Sequence, residues 1–111
     1  MTGINLMLPP AAAASRAVDV TRVPYGTQIT LSANHVCDAP GLMRAQVNWL
    51  RSDGSIIRSD ATQSACGDAP QSASIRASKP KGARTAFLYF TNDGSANARL
   101  YGEFATALTK P

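Results

Sequence analysis

"GTQITLSANHVCDAPGLMRAQVNWLR", residues 26–51, decides the fold. Its first half sets Ile29, Leu31 and Ala33 on one side of an extended chain and Gln28, Thr30, Ser32 and Asn34 on the other. Its second half sets Met43, Ala45, Val47 and Trp49 against Arg44, Gln46 and Asn48. Successive side chains of a strand point to opposite faces, so alternation with a period of two marks a strand with one buried face. Between the halves, Asp38-Ala39-Pro40-Gly41 is turn chemistry, and two antiparallel strands are expected.

The same rhythm continues in both directions. Asp53-Gly54 in "SDGS" turns the chain into "SIIRSD", because glycine accepts the positive φ that tight hairpin turns require. "SASIRAS" alternates Ala73, Ile75 and Ala77 with Ser72, Ser74, Arg76 and Ser78. "ARTAFLYFTN" puts Ala86, Leu88 and Phe90 on one face and Phe87 and Tyr89 on the other, and "ARLYGEFATAL" supplies a last strand. With "INLML" and "RAVDVTRV" upstream, the count is about eight strands. The expected architecture is all-β, a two-sheet antiparallel β-sandwich of the jelly-roll type. The 111 residues form a single domain, 1–111, in which 1–15 is an N-terminal strand and a connector. Four alanines at 11–14 follow Pro9-Pro10 but are too few to nucleate a helix.

Composition narrows the function. Eleven Lys and Arg against 7 Asp and Glu give a net charge of +4, yet the cations are scattered, with no run of four. Phosphate tracking calls for clustered cations beside stacking aromatics, so no nucleic-acid partner is expected. No segment approaches the roughly 20 apolar residues that span a bilayer, and no membrane partner is expected. The start of the chain has no basic residue before its apolar stretch, a poor secretory signal. The catalytic supply is thin. There is one histidine, His35, and one glutamate, Glu103, and there is no G-x-S-x-G, H-E-x-x-H or phosphate-cradling glycine loop. The chain is expected not to be an enzyme.

Antiparallel neighbours reverse the chain at each turn, which sorts the connections to two ends. Residues 37–42, 61–70 and 92–97 fall at one end, and 25–27, 52–55 and 79–84 at the other. Cys37 and Cys66, each in a setting of Asp, Ala and Pro, therefore share an end and are a candidate disulfide; two free buried thiols are the alternative. With His35 they offer zinc three ligands at most and no C-x-x-C pair, so no metal site is expected there. His35 has core parity. The same end gathers Asp38, Asp60, Asp68 and Asp93 with Asn34, Asn92 and Asn97, an oxygen-rich rim of the kind Ca²⁺ takes, although Asp and Asn also simply favour turns. No cofactor is expected beyond that cation. Arg51, Lys79, Lys81 and Arg84, followed by Lys110, make the opposite end basic. Such polarity suits contacts in an assembly, with Asp38, Asp68 and Asp93 facing one way and the cations the other.

If the strands carrying Phe87, Tyr89 and Tyr101 lie in one sheet, three aromatics share an outer face with Arg99 and Glu103. Aromatic planes flanked by hydrogen-bonding groups are what a sugar ring needs. A face covered by another strand or subunit is the alternative.

"SIRASKPKGARTAFLYF" followed by "ARLYGEF" resembles the later strands of galactose-binding-like jelly rolls, as found in carbohydrate-binding modules and tailed-phage virion proteins. "INLML" is similar to their short first strand, and the likeness covers residues 26–108. It differs from the sugar-binding members in lacking a second, exposed Trp, since Trp49 has core parity. The resemblance implies a non-catalytic scaffold. The expected function is that of a virion accessory or decoration protein binding a protein assembly through loops and strand edges, with homo-oligomeric or lattice contacts; the alternatives are a carbohydrate-binding module with a glycan partner and a small inhibitor or immunity protein. The first places it on a virion made in a bacterial cytoplasm; the second makes it a secreted protein.

Overall fold

Eight strands form along the described chain: Gly3–Leu8 (β1), Ala13–Asp19 (β2), Gln28–Cys37 (β3), Gly41–Leu50 (β4), Ile56–Cys66 (β5), Gln71–Ser78 (β6), Thr85–Asn92 (β7) and Ala98–Thr109 (β8). The computed structural model describes residues 3–109, with side-chain surroundings at 5–101, 108 and 109. Two four-stranded antiparallel sheets result, sheet I in the order β1-β8-β3-β6 and sheet II in the order β2-β7-β4-β5. The fold is an all-β sandwich, as the alternation predicts.

Burial follows parity where the strands are central. Every second residue of β3 from Ile29 to Cys37 is buried, as are Met43, Ala45, Val47 and Trp49 of β4 and Ala86, Leu88 and Phe90 of β7. β6 adds Ala73, Ile75 and Ala77 from the opposite sheet. Each large aliphatic or aromatic side chain taken from water here stabilises the fold by about 1.5–3 kcal/mol. Trp49 is 1% exposed, and its indole N–H donates to Asp60 Oδ2 at 3.1 Å, so the polar edge of the ring is satisfied.

β5 breaks the pattern. Its inward positions, paired with Trp49, Val47, Ala45 and Met43, are Arg58, Asp60, Thr62 and Ser64. The sandwich is open on this flank, where β5 and β6 are the free edges of the two sheets. There β5 side chains satisfy the β6 backbone: Thr62 Oγ1 donates to Ser74 O, and Arg58 Nη2 donates to Ser78 O. Because polar residues lie on both faces, no alternation marks 61–66 as strand. The expected loop 61–70 is therefore corrected to 67–70, and Asp60 lies in mid-strand rather than at the acidic end.

A second boundary also moves. β2 starts at Ala13, where Ala14 faces Phe90 and is buried, so the connector expected to run through residue 15 ends at Ala12. Pro9 to Ala12 make a tight reversal in which Ala11 takes φ 68° and its N–H donates to Asn92 O at 2.8 Å.

The connections sort to two poles as antiparallel reversal requires. At one pole Cys37 N–H donates to Gly67 O (2.7 Å), Asp38 N–H to Asn97 O (3.0 Å) and Asp93 N–H to Leu42 O (3.0 Å). A Cβ on Gly41 would come 3.1 Å from Gly94 Cα, a tight approach of the two loops that would require their backbones to shift apart slightly to admit a side chain. At the other pole Val20 N–H donates to Arg84 O, Gly26 N–H to Lys79 O and Arg84 N–H to Leu50 O.

Candidate ligand-binding face

The outward side of sheet II is built by the residues left over once the core parity is assigned. Cross-strand register sets them in rows: Ser15–Tyr89–Gln46–Ala61, then Ala17–Phe87–Asn48–Ser59, then Ala13–Thr91–Arg44–Gln63. An aromatic row on β7 thus lies beside a row of amides and a guanidinium on β4. The edge strands carry alanine and serine, exposed at Ala13, Ser15, Ala17, Ser59 and Ala61, so the aromatic row is not walled in.

Phe87 and Tyr89 are half-buried neighbours with ring centroids 5.8 Å apart and planes inclined at 59°. Asn48 sits at the centre of a hydrogen-bond network. Its Oδ1 accepts from Gln46 Nε2 (2.9 Å) and from Ser59 Oγ (2.7 Å), and its Nδ2 donates to Tyr89 Oη (3.2 Å). With its oxygen already accepting from Asn48, the tyrosine is left with its own O–H to donate outward, and Gln46 retains an amide oxygen. At the end of the face near the acidic pole, Asp93 Oδ2 accepts from Gln63 Nε2 at 2.9 Å and lies 3.5 Å from Arg44 Nε. The arrangement offers an apolar ring-stacking surface flanked by fixed donors and acceptors.

The three-aromatic platform expected from parity does not form. Tyr101 and Arg99 lie on β8 in sheet I, whereas Phe87 and Tyr89 lie on β7 in sheet II, so the two pairs face opposite directions. Tyr101 is instead in register with Asn5 and Asn34, while Arg99 Nη1 donates to Asn5 Oδ1 at 3.0 Å. The side chain of Glu103 lies outside the described residues, as does Lys110. Gln46, Asn48 and Arg44 show the outward parity in sequence, but that β4 lies beside β7 is a fact of sheet order.

The expected assembly residues separate in the same way. Asp38, Asp68 and Asp93 are at one pole, and Arg51, Lys81 and Arg84 at the other. Lys79 is corrected: it is 8% exposed, and its Nζ donates to Val20 O at 2.7 Å and Val23 O at 2.5 Å, so it is an internal clamp rather than a surface contact. Of the oxygen-rich rim, Asn92 is buried and used up internally. Its Nδ2 donates to Leu8 O and Ala96 O, and its Oδ1 accepts from Gly94 N–H. Among the described residues no three His, Cys, Asp or Glu side chains cluster as metal ligands would. Cys37 and Cys66 form a disulfide with Cα atoms 5.5 Å apart, tying β3 of sheet I to β5 of sheet II beside the open flank. His35 is fully buried on the same side of β3, its Nε2 3.3 Å from Ser64 Oγ.

No protein-family model matches this chain, and no curated protein matches it. Solved structures do. The enzymatically active domain of bacteriophage CBA120 tailspike protein 4 superposes with a TM-score of 0.67 at 16% identity, over 96% of this chain and 15% of that one. The xylan-binding CBM22-1 domain of Paenibacillus barcinonensis Xyn10C gives 0.65 at 18% identity, over 86% of this chain and 64% of the other. The CBM61 module solved in complex with β-1,4-galactotriose gives 0.60 at 12% identity, over 98% and 70%. The chain thus shares the jelly-roll β-sandwich fold of these carbohydrate-binding modules and of the tailspike domain. The chain spans less than two thirds of the tailspike and xylan-binding chains.

Proposed function

We propose that the outer face of sheet II binds a glycan and that the chain is a non-catalytic carbohydrate-binding module. The observation that carries this reading is the Phe87–Tyr89 row lying against the Gln46–Asn48–Ser59 network, where the phenol and the amides are held in place before any ligand arrives. Preorganised groups lose less conformational freedom on binding, and sugar rings present C–H faces to aromatics while their hydroxyls take fixed partners. Solved structures of this fold described as xylan-binding, or held in complex with a galactotriose, support it. The non-catalytic part rests on His35, the sole histidine, being sealed in the core, where it meets no substrate. The Cys37–Cys66 bridge suits an oxidising setting outside the cytoplasm, whether the protein is secreted or carried on a particle surface.

The tailspike likeness favours a second reading, a domain that seats on a virion assembly through its poles. One experiment separates the two. Titration calorimetry with xylo- and galacto-oligosaccharides should detect binding that falls at least tenfold in Tyr89→Ala and in Phe87→Ala, with circular dichroism unchanged. Glycan binding unaffected by both substitutions would overturn the sheet II assignment. Absence of glycan binding together with co-sedimentation on phage tails would replace it with the assembly reading.

A further inference from the structure

At the basic pole a surface pocket of about 620 Å³ opens between the β2–β3 and β6–β7 connections, within the roughly 300–1,000 Å³ range of small-ligand sites. Tyr25, Gly26, Arg58, Lys79, Pro80 and Lys81 line it. It lies at the end of the sandwich, away from the Phe87–Tyr89 row, on the pole where Lys81 was expected to make assembly contacts.

Tyr25 is 64% exposed, the most exposed of the large apolar side chains in the described residues. Lys81 Nζ stands 5.3 Å from the centroid of its ring. The loop that presents the ring is held hard. Gly26 adopts φ 87° and donates its N–H to Lys79 O at 3.0 Å, Lys79 N–H donates to Thr27 O at 2.8 Å, and Thr27 N–H donates to Pro24 O at 3.1 Å. From beneath, the buried Lys79 side chain draws in Val20 O and Val23 O. An exposed tyrosine on so constrained a loop is a ring presented at low entropic cost.

The electrostatics have one sign. Three cations line the pocket and no carboxylate does. Asp60 compensates Arg58 from one side, at 3.0 Å from Nε. Among the described residues Lys79 has backbone carbonyls for partners, and Lys81 has the ring. A site with surplus positive charge attracts an anion, and the ring beside it selects a flat-faced one.

We infer that this pocket is a second binding site, for an acidic sugar unit: the apolar face of a uronic acid ring stacks on Tyr25 while its carboxylate pairs with Lys81 and Arg58. The site stands apart from the sheet II reading, and either can fail without the other.

The test is titration of the whole chain with hexagalacturonate and an oligoglucuronate, with fully methyl-esterified hexagalacturonate and dextran sulfate oligosaccharide as comparisons. At least one uronate should bind, with affinity falling as salt rises. Tyr25→Ala and Lys81→Gln, both surface changes, should each weaken it tenfold or more, while Tyr89→Ala leaves it unchanged. The methyl ester, which keeps the ring and loses the charge, should bind at least tenfold more weakly. Failure of both uronates, equal binding of the methyl ester, or indifference to Tyr25→Ala overturns the site. Binding of dextran sulfate alone overturns the carboxylate assignment, and loss of uronate binding in Tyr89→Ala would return the ligand to sheet II.

Discussion

At His35 the imidazole is fully buried beside Ser64, with no hydrogen-bond partner for Nδ1 among the described residues, and desolvation holds its pKa below the ordinary 6.5. An unfolded chain takes up the proton first as the pH falls, so the folded state keeps its full advantage above about pH 6.5 and loses it progressively below. Urea midpoints should therefore decline from pH 7 to pH 5, and His35→Gln should flatten that decline. Asp19 and Asp53 are also shifted down, from 3.8, chiefly by side-chain hydrogen bonds from Thr21 and Ser55. Their stabilisation is present above that value and lost as the pH falls through their lower folded pKa, well below the histidine's range. Asn92 is another buried polar side chain that joins separate segments, linking β1, β7 and the 93–97 loop. Asn92→Asp aims a carboxylate at two carbonyls that it can no longer satisfy, and urea denaturation should show a loss of about 3 kcal/mol, in the range expected for buried groups left unpaired.

Among the elements, β5 is the one whose sequence does not announce its extent. Arg58, Asp60, Thr62 and Ser64 occupy inward positions because the flank they face is open to water, and their partners are the backbone of β6, the Trp49 indole and, for Ser64, His35 and Met43 O rather than apolar packing. The disulfide closes this flank at one end. Its cysteines are 29 residues apart, and on the chain-entropy account the cross-link contributes about 3–4 kcal/mol. Adding a reductant should lower the urea midpoint accordingly, and Cys37→Ala/Cys66→Ala should show the lowered midpoint with or without reductant. An equal midpoint in the oxidised and reduced protein would mean that the flank is held by its hydrogen bonds alone.

Across the whole molecule, the sheets join strands that are distant in the chain. β8 lies between β1 and β3, pairing Leu6 with Leu100 and Cys37 with Ala98. Truncation after residue 97 removes the strand that pairs with β1 and exposes one side of β3, so the shortened chain should lack the dispersed amide NMR spectrum of the full one. Non-local antiparallel topologies of this kind close large loops before any contact rewards them, and refolding on a timescale of milliseconds to seconds is expected in stopped-flow experiments. The two outer faces and the two poles are the surfaces left for function, and the poles are sorted by reversal alone.

Alternation in residues 26–51 and 71–92 was enough to determine strands and core parity, because period-two burial is a local property of an extended backbone; antiparallel reversal at the turns added the common pole of Cys37 and Cys66. Sheet membership was not local. Whether Phe87 and Tyr89 share a face with Tyr101 or with Gln46 and Asn48 depends on which strand lies next to β7, and hydrogen bonding between sequence-distant strands decides that. Lys79 shows the same division: as a residue it reads as a surface cation, and only the folding of the 20–27 loop over it made it an internal clamp.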